Sequence, residues 1–170
     1  MIDNKKTQLE KLLKNNKVKL AKRQLIRDLI KYHDIDVSGK EFVDYQTSEE
    51  VRKRVYNRIR RDQIKAIQSP YDVKTLISNI EFIFDMYKHN EDKVVWFYPS
   101  TYGFRIRSSD QLYLEYPLAI SLQLSESKDL IIKLMLEMQD DLVVVSEELN
   151  FGFVLSVDEY SYVTIEYWGI

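Results

Sequence analysis

The sequence predicts an α+β fold, with N-terminal helices packed on a mostly antiparallel sheet that ends in a C-terminal meander. Three observations carry this expectation. Apolar residues recur at three- and four-residue spacing through about residue 88, the period of an amphipathic helix. From about residue 93 to 169 the pattern turns mostly to alternating β-branched and aromatic residues, the period of half-buried strands. Helices first and strands later argue for α+β, because a parallel sheet would alternate the two. One domain over residues 1–170 is expected, since domains most often run about 100–150 residues.

The first helix is expected from Lys5 to about Tyr32, on the spacing of Leu9, Leu12, Leu13, Leu25, Ile26, Leu29 and Ile30. Asn15-Asn16 is where a break or bend is expected, because asparagine competes for backbone hydrogen bonds outside the helical conformation. A loop pivoting on Gly39 follows. Thr47-Ser48-Glu49-Glu50 matches a capping box and sets the second helix near Thr47, with Val51, Val55 and Ile59 as its apolar stripe. Ser69-Pro70 is expected to stop that helix and start the next, with Ser69 as cap, Pro70 in the first turn and Asp72 completing the box. Val73, Leu76, Ile77, Ile80, Phe84 and Tyr87 form its inward face. Val94 to Tyr98 reads as a strand ended by Pro99, with Phe104 and Ile106 on a return strand after Gly103. Leu118 to Leu124 alternates as a further strand, and Leu130 to Met138 reverts to helical spacing. Three closing strands, Leu142 to Ser146, Phe151 to Val157 and Tyr162 to Trp168, are joined by short acidic links.

Hydrophobic residues at 45% and charged residues at 31% are ordinary globular values, which argues against wholesale disorder. The chain has no cysteine, which excludes disulfides, thiolate zinc sites and cysteine nucleophiles and suits a reducing compartment. No apolar run approaches the roughly 18 residues of a membrane span, and Met1 to Lys22 lacks the apolar stretch of a secretion signal. A cytoplasmic location and no membrane partner are the expectations.

The net charge of −2 conceals a division along the chain. Residues 1–65 carry a balance of +8 and residues 66–170 a balance of −10. Such asymmetry speaks to partners and association rates.

Candidate chemistry is sparse. A catalytic triad needs a histidine between nucleophile and carboxylate. The only histidines, His33 and His89, each sit at a predicted helix end, where the dipole stabilises a cation. His33-Asp34-Ile35-Asp36 crowds three potential metal ligands into four residues, and a solvated helix exit explains it as well. With four glycines there is no phosphate-cradling loop. The acidic pairs Asp140-Asp141, Glu147-Glu148 and Asp158-Glu159 do not supply paired-carboxylate hydrolysis, because adjacent strand residues point to opposite faces. No catalytic residue, cofactor or metal is therefore expected. The Lys/Arg-rich helices are the feature that would suit nucleic acid, yet no base-reading module accompanies them. A protein partner ranks above nucleic acid. Twelve tyrosines and two tryptophans fill core and strands first, and tyrosine also serves interfaces.

Val94-Val95-Trp96-Phe97, Tyr102-Gly103-Phe104, the run from Leu142 to Gly152 and the closing Tyr167-Trp168-Gly169 give residues 90–170 a strand-turn-strand texture. In this the chain resembles small bacterial immunity proteins encoded beside polymorphic or contact-dependent toxins, and the YxiF-like proteins of Bacillus. The resemblance implies a cytoplasmic, non-catalytic protein that neutralises a cognate toxin, often a nuclease with a basic surface, by binding it. The expected interface is the acidic C-terminal region, at Asp140, Asp141, Asp158, Glu159, Glu147 and Glu148. In a meander the end that holds Asp158 should gather Asp140, Asp141, Asp158 and Glu159 into one patch. The alternative is a nucleic-acid-associated or regulatory protein working through the basic helices.

Overall fold

The computed structural model describes residues 2–61, 64–99, 111–137 and 141–170, with side chains from Lys5 onward. Among them are five α-helices and seven strands: α1 (Ile2–His33), β1 (Glu41–Phe42), α2 (Tyr45–Arg61), β2 (Lys65–Pro70), α3 (Val73–Met86), β3 (Val94–Tyr98), α4 (Leu112–Glu115), β4 (Ile120–Gln123), α5 (Leu124–Glu137), β5 (Leu142–Ser146), β6 (Gly152–Val157) and β7 (Tyr162–Trp168). The strands form one antiparallel sheet in the order β1-β4-β3-β5-β6-β7-β2. The α+β class and the closing meander are as the sequence predicts.

Strand alternation divides the core between the two faces of the sheet. Leu142, Val144, Phe153, Leu155, Val163 and Ile165 face α1, α3 and α5, whose Leu25, Leu29, Leu76, Ile80, Ile131 and Leu134 are buried against them. Val143, Val145, Val154 and Trp168 face the other way, onto Val51 and Val55 of α2. The result is three layers, with the arginine-rich α2 packed against one face.

Side-chain hydrogen bonds fix the layers. The buried Tyr87 hydroxyl donates to the carbonyls of Gly152 (2.9 Å) and Trp168 (2.6 Å), joining β6 to β7 at one end. A Cβ on Gly152 would stand 2.7 Å from both the Trp168 ring and the Val144 carbonyl oxygen, so only glycine fits there. Tyr98 donates to the Ser48 carbonyl (2.6 Å), and so ties the sheet to α2.

Several local expectations are corrected. α1 runs unbroken through Asn15 and Asn16, both exposed, because asparagine costs only a fraction of a kcal/mol inside a helix. α2 is capped by Asp44, whose carboxylate accepts the Thr47 N–H at 3.0 Å; the helix therefore begins before Thr47. Ser69-Pro70 ends strand β2 and does not cap a helix; Asp72 caps α3 through the Thr75 N–H at 2.9 Å. β2 reads in sequence as more of α2, because Ile67 alone among its residues supplies an inward apolar anchor. As an edge strand it tolerates Pro70 and carries Lys65, both of which discourage pairing with other chains. Gly39 has no left-handed backbone; in that loop the positive φ of 52° belongs to Asp34. Leu124, expected in a strand, opens α5. The expected return strand at Phe104 and Ile106, and Met138, expected to end the Leu130–Met138 helix, lie outside the described residues.

Candidate protein-interaction surface

The link between β6 and β7 folds around Asp158. Its carboxylate accepts the backbone N–H groups of Tyr160 (3.0 Å) and Tyr162 (2.8 Å), and its own N–H donates to the Tyr162 carbonyl (3.0 Å). Ser161 takes the left-handed conformation that the tight turn requires, with φ 62°. This geometry turns Tyr160 outward, 76% exposed, with Tyr162 42% exposed and Glu159 in solvent beside them.

The Tyr71 N–H reaches the Ser161 carbonyl at 2.7 Å and so brings the start of α3 alongside. Asp72 and the exposed Val73 thereby join the turn. Hydrogen bonds from the Thr75 backbone and hydroxyl hold the Asp72 carboxyl below its usual range, so it is charged. Three carboxylates, two tyrosines and a valine thus share one exposed end of the sheet.

The other expected acidic residues are placed differently. Asp141 shares the parity of Val143 and Val145 and faces α2. It is half-buried and lines a cleft of about 320 Å³ with Arg52, Lys53, Tyr56, Asn57 and Arg60. Burial pushes its carboxyl up to about 6, against the pull of a hydrogen bond from the Val157 N–H, and nearby Glu166 pushes it further. Glu166 lies on the same face and is raised by burial as well. Of the four carboxylates expected together, Asp158 and Glu159 share the exposed turn. Asp141 reaches the same end of β6 but turns under α2, and Asp140 lies outside the described residues.

Glu147 and Glu148 are exposed at the opposite end of β6. Their turn contains Leu149 at φ 60°, whose carbonyl accepts Arg58 Nη1 (2.9 Å) and Trp168 Nε1 (3.2 Å). The Arg58 guanidinium also lies over the Trp168 ring, 5.3 Å from its centroid. A cleft of about 310 Å³ between Leu149, Trp168 and the arginines Arg54, Arg58 and Arg61 adjoins this turn. Positive charge therefore sits beside Glu147 and Glu148, as Arg52, Lys53 and Arg60 sit beside Asp141.

The sequence singles out neither Tyr160 nor Tyr162; it places Asp72 in a helix cap and Val73 on the inward face of α3, but Val73, in the first turn, is 48% exposed. A trace was present: Tyr160-Ser161-Tyr162 places two aromatics at a turn between alternating strands, where a core role is hard to fill. His33 ends α1 as expected; its Nδ1 is bonded to Glu137 on α5, making it a tie between helices. Among the described residues no group of three or more His, Asp or Glu is placed to hold a metal ion, and no helix is long and apolar enough to cross a membrane. Comparison with protein-family models, curated proteins and solved structures returns no match.

Proposed function

We infer that the chain is a non-enzymatic binding protein that neutralises a cognate toxin domain through the end of the sheet built on Asp158, Glu159, Tyr160 and Tyr162. The observation that carries this reading is the pairing of solvent-exposed carboxylates with tyrosines held in solvent by a tight, hydrogen-bonded turn. Aromatic residues on a rigid support are the usual anchors of protein interfaces, and a ring of like charge selects partners of opposite sign. The partner of matching chemistry is a basic protein, and nuclease toxins, which present basic surfaces to nucleic acid, fit that description. The resemblance to immunity proteins and the lack of cysteine, suited to the reducing cytoplasm, support the same reading.

The test is recovery of the partner from native cytosol by the tagged chain, beside a Glu159→Lys/Tyr160→Ser variant, followed by assay of the recovered protein for nuclease activity. The reading expects one basic protein bound by wild type, lost with the variant, and inhibited when bound. A partner held equally by both chains would remove the turn from the account.

The second reading, a nucleic-acid-associated or regulatory protein, is favoured by α2. Arg54, Arg60 and Arg61 have no ion-pair partner among the described residues and border its clefts. That reading expects sub-micromolar binding of RNA or duplex DNA at physiological salt, beyond the ~10⁻⁴–10⁻⁶ M of non-specific association, and its loss on reversing Arg54 and Arg61.

A further inference from the structure

The N-terminal half of α1 has a surface that belongs neither to the β6–β7 turn nor to the arginine clefts of α2. Every side chain from Lys5 to Lys17 is exposed, and Leu9, Leu12, Leu13 and Leu20 are exposed by 57, 60, 53 and 47%. At about 100° of rotation per residue these leucines centre roughly half a turn away from Val18, Ala21, Leu25 and Leu29, which pack into the core. The leucine stripe is therefore a second apolar face, pointing outward, and not a continuation of the docked one. Lys14 and Lys22 confirm the orientation, since both reach back to the body, 4.8 Å from the Tyr45 ring centroid and 4.4 Å from that of Phe42.

The outward half has a distinctive composition. Lys5 and Lys19 flank the leucines on one side and Lys6 and Lys17 on the other, while the only carboxylate from Lys5 to Leu20, Glu10, lies at the edge of this face. The occupant must then be anionic. A second copy would set lysines against lysines, and the seam of Lys6, Leu9, Leu13, Asn16 and Leu20 would bury a lysine and an asparagine. An acidic protein groove would match the charge, yet protein interfaces are depleted in lysine and draw on aromatic and arginine anchors, which this face lacks. Leucine flanked by lysine, with stems that can lie along apolar matter and heads that stay in water, is the pattern of helices that rest in a lipid interface.

We propose that the outward face of α1, over Lys5 to Leu20, docks the protein onto an anionic lipid surface. The helix lies flat over about 24 Å, the four leucines enter the boundary between headgroups and acyl chains, and the four flanking lysines meet the lipid phosphates and carboxylates. The attachment is peripheral and reversible. It uses no residue of the β6–β7 turn, so the proposal stands or falls independently of the toxin-binding reading.

The experiment is co-sedimentation of the full chain with vesicles of phosphatidylcholine alone and of phosphatidylcholine containing about one third phosphatidylserine, at low and physiological salt. Binding is expected to the serine-containing vesicles only, weakening as salt rises. Lys6→Glu/Lys17→Glu should lower it by about tenfold or more, and Leu13→Asn/Leu20→Asn by a comparable factor. Both pairs are exposed, so thermal melts should match wild type. Equal binding to both vesicle types, or binding that the lysine reversal leaves unchanged, overturns the proposal. So does wild type that stays in the supernatant with both vesicles, whether it remains monomeric in sedimentation velocity or forms a dimer that the leucine variant abolishes; the dimer would assign the stripe to a second copy.

Discussion

Two sets of carboxylates lie within a few residues of one another on β6, β7 and their neighbours, and they meet opposite surroundings. Asp158 and Glu159 stand in water at a turn, with two exposed tyrosines beside them. Asp141 and Glu166 sit on the covered face of the same strands, half-buried beneath an arginine-rich helix, and both are pushed toward the neutral form. A count of acidic residues along the chain treats all four alike. Strand parity separates them, sending one set to a solvated end and the other under α2. The charge exposed at the β6–β7 turn is accordingly smaller and more localised than the −10 of residues 66–170.

The largest effect should come from the exposed set. Glu159→Lys with Tyr160→Ser should weaken partner binding on the order of a hundredfold, because aromatic anchors and their charged neighbours carry much of an interface's energy. Thermal stability should change little, since neither side chain makes a contact that the fold needs. Titration calorimetry with the recovered partner reads the first quantity and a thermal melt the second. Asp158 is different: its two backbone hydrogen bonds define the turn, so Asp158→Asn, which keeps the acceptor, is the substitution that isolates charge.

The reverse pattern should hold at the far end of the same hairpin. Tyr87→Phe leaves the carbonyls of Gly152 and Trp168 without their shared donor and should cost about 1–3 kcal/mol in urea unfolding, while association with the partner stays as in wild type. Slower association in that variant would mean that the two ends of β6 are coupled.

The covered set is addressed by pH. Asp141 has a folded value of about 6 against an ordinary 3.8, so the folded state holds its proton more tightly than the unfolded one. Its contribution to stability is full below about pH 4 and is lost as pH rises through about 6. Asp141→Asn, which keeps an acceptor for the Val157 N–H, should therefore stabilise the protein by about 1–2 kcal/mol at pH 7 and by almost nothing near pH 4. Denaturant midpoints at the two pH values test this, and an equal effect at both would place Asp141 outside the buried environment. Smallest of all, Glu147→Lys with Glu148→Lys should change stability by under ~0.5 kcal/mol and leave the partner's association rate nearly unaltered.

The sequence carried the fold further than the site. Periodic stretches such as Leu76, Ile80 and Tyr87 of α3 and its C-cap, and the β5–β7 meander, were legible because burial on one face imposes its period on the residues. β2 was not, because an edge strand with one inward anchor leaves almost no period to read. The caps were misplaced for a related reason. Thr47 and Ser69 have the right chemistry, but Asp44 and Asp72, each three residues away, have it too, and which residue caps depends on where tertiary packing starts the helix. Of the expected acidic patch, only the exposed pair Asp158-Glu159 was legible as composition and turn order. That Asp141 turns inward follows from its parity with Val143, but that a helix would cover that face could not be read from β5 alone.

The central claim, that the solvated turn and not the covered pair steers the partner, is tested most directly by association kinetics. The rate constant for wild type, Asp158→Asn/Glu159→Gln and Asp141→Asn should be measured with the recovered partner at low salt and at physiological salt, where the Debye length is about 8 Å. The account predicts that the turn variant associates several-fold more slowly at low salt and loses most of the salt dependence, while Asp141→Asn matches wild type at both. A turn variant that associates as fast as wild type at both salt concentrations, or an Asp141 variant that alone is slowed, would contradict it.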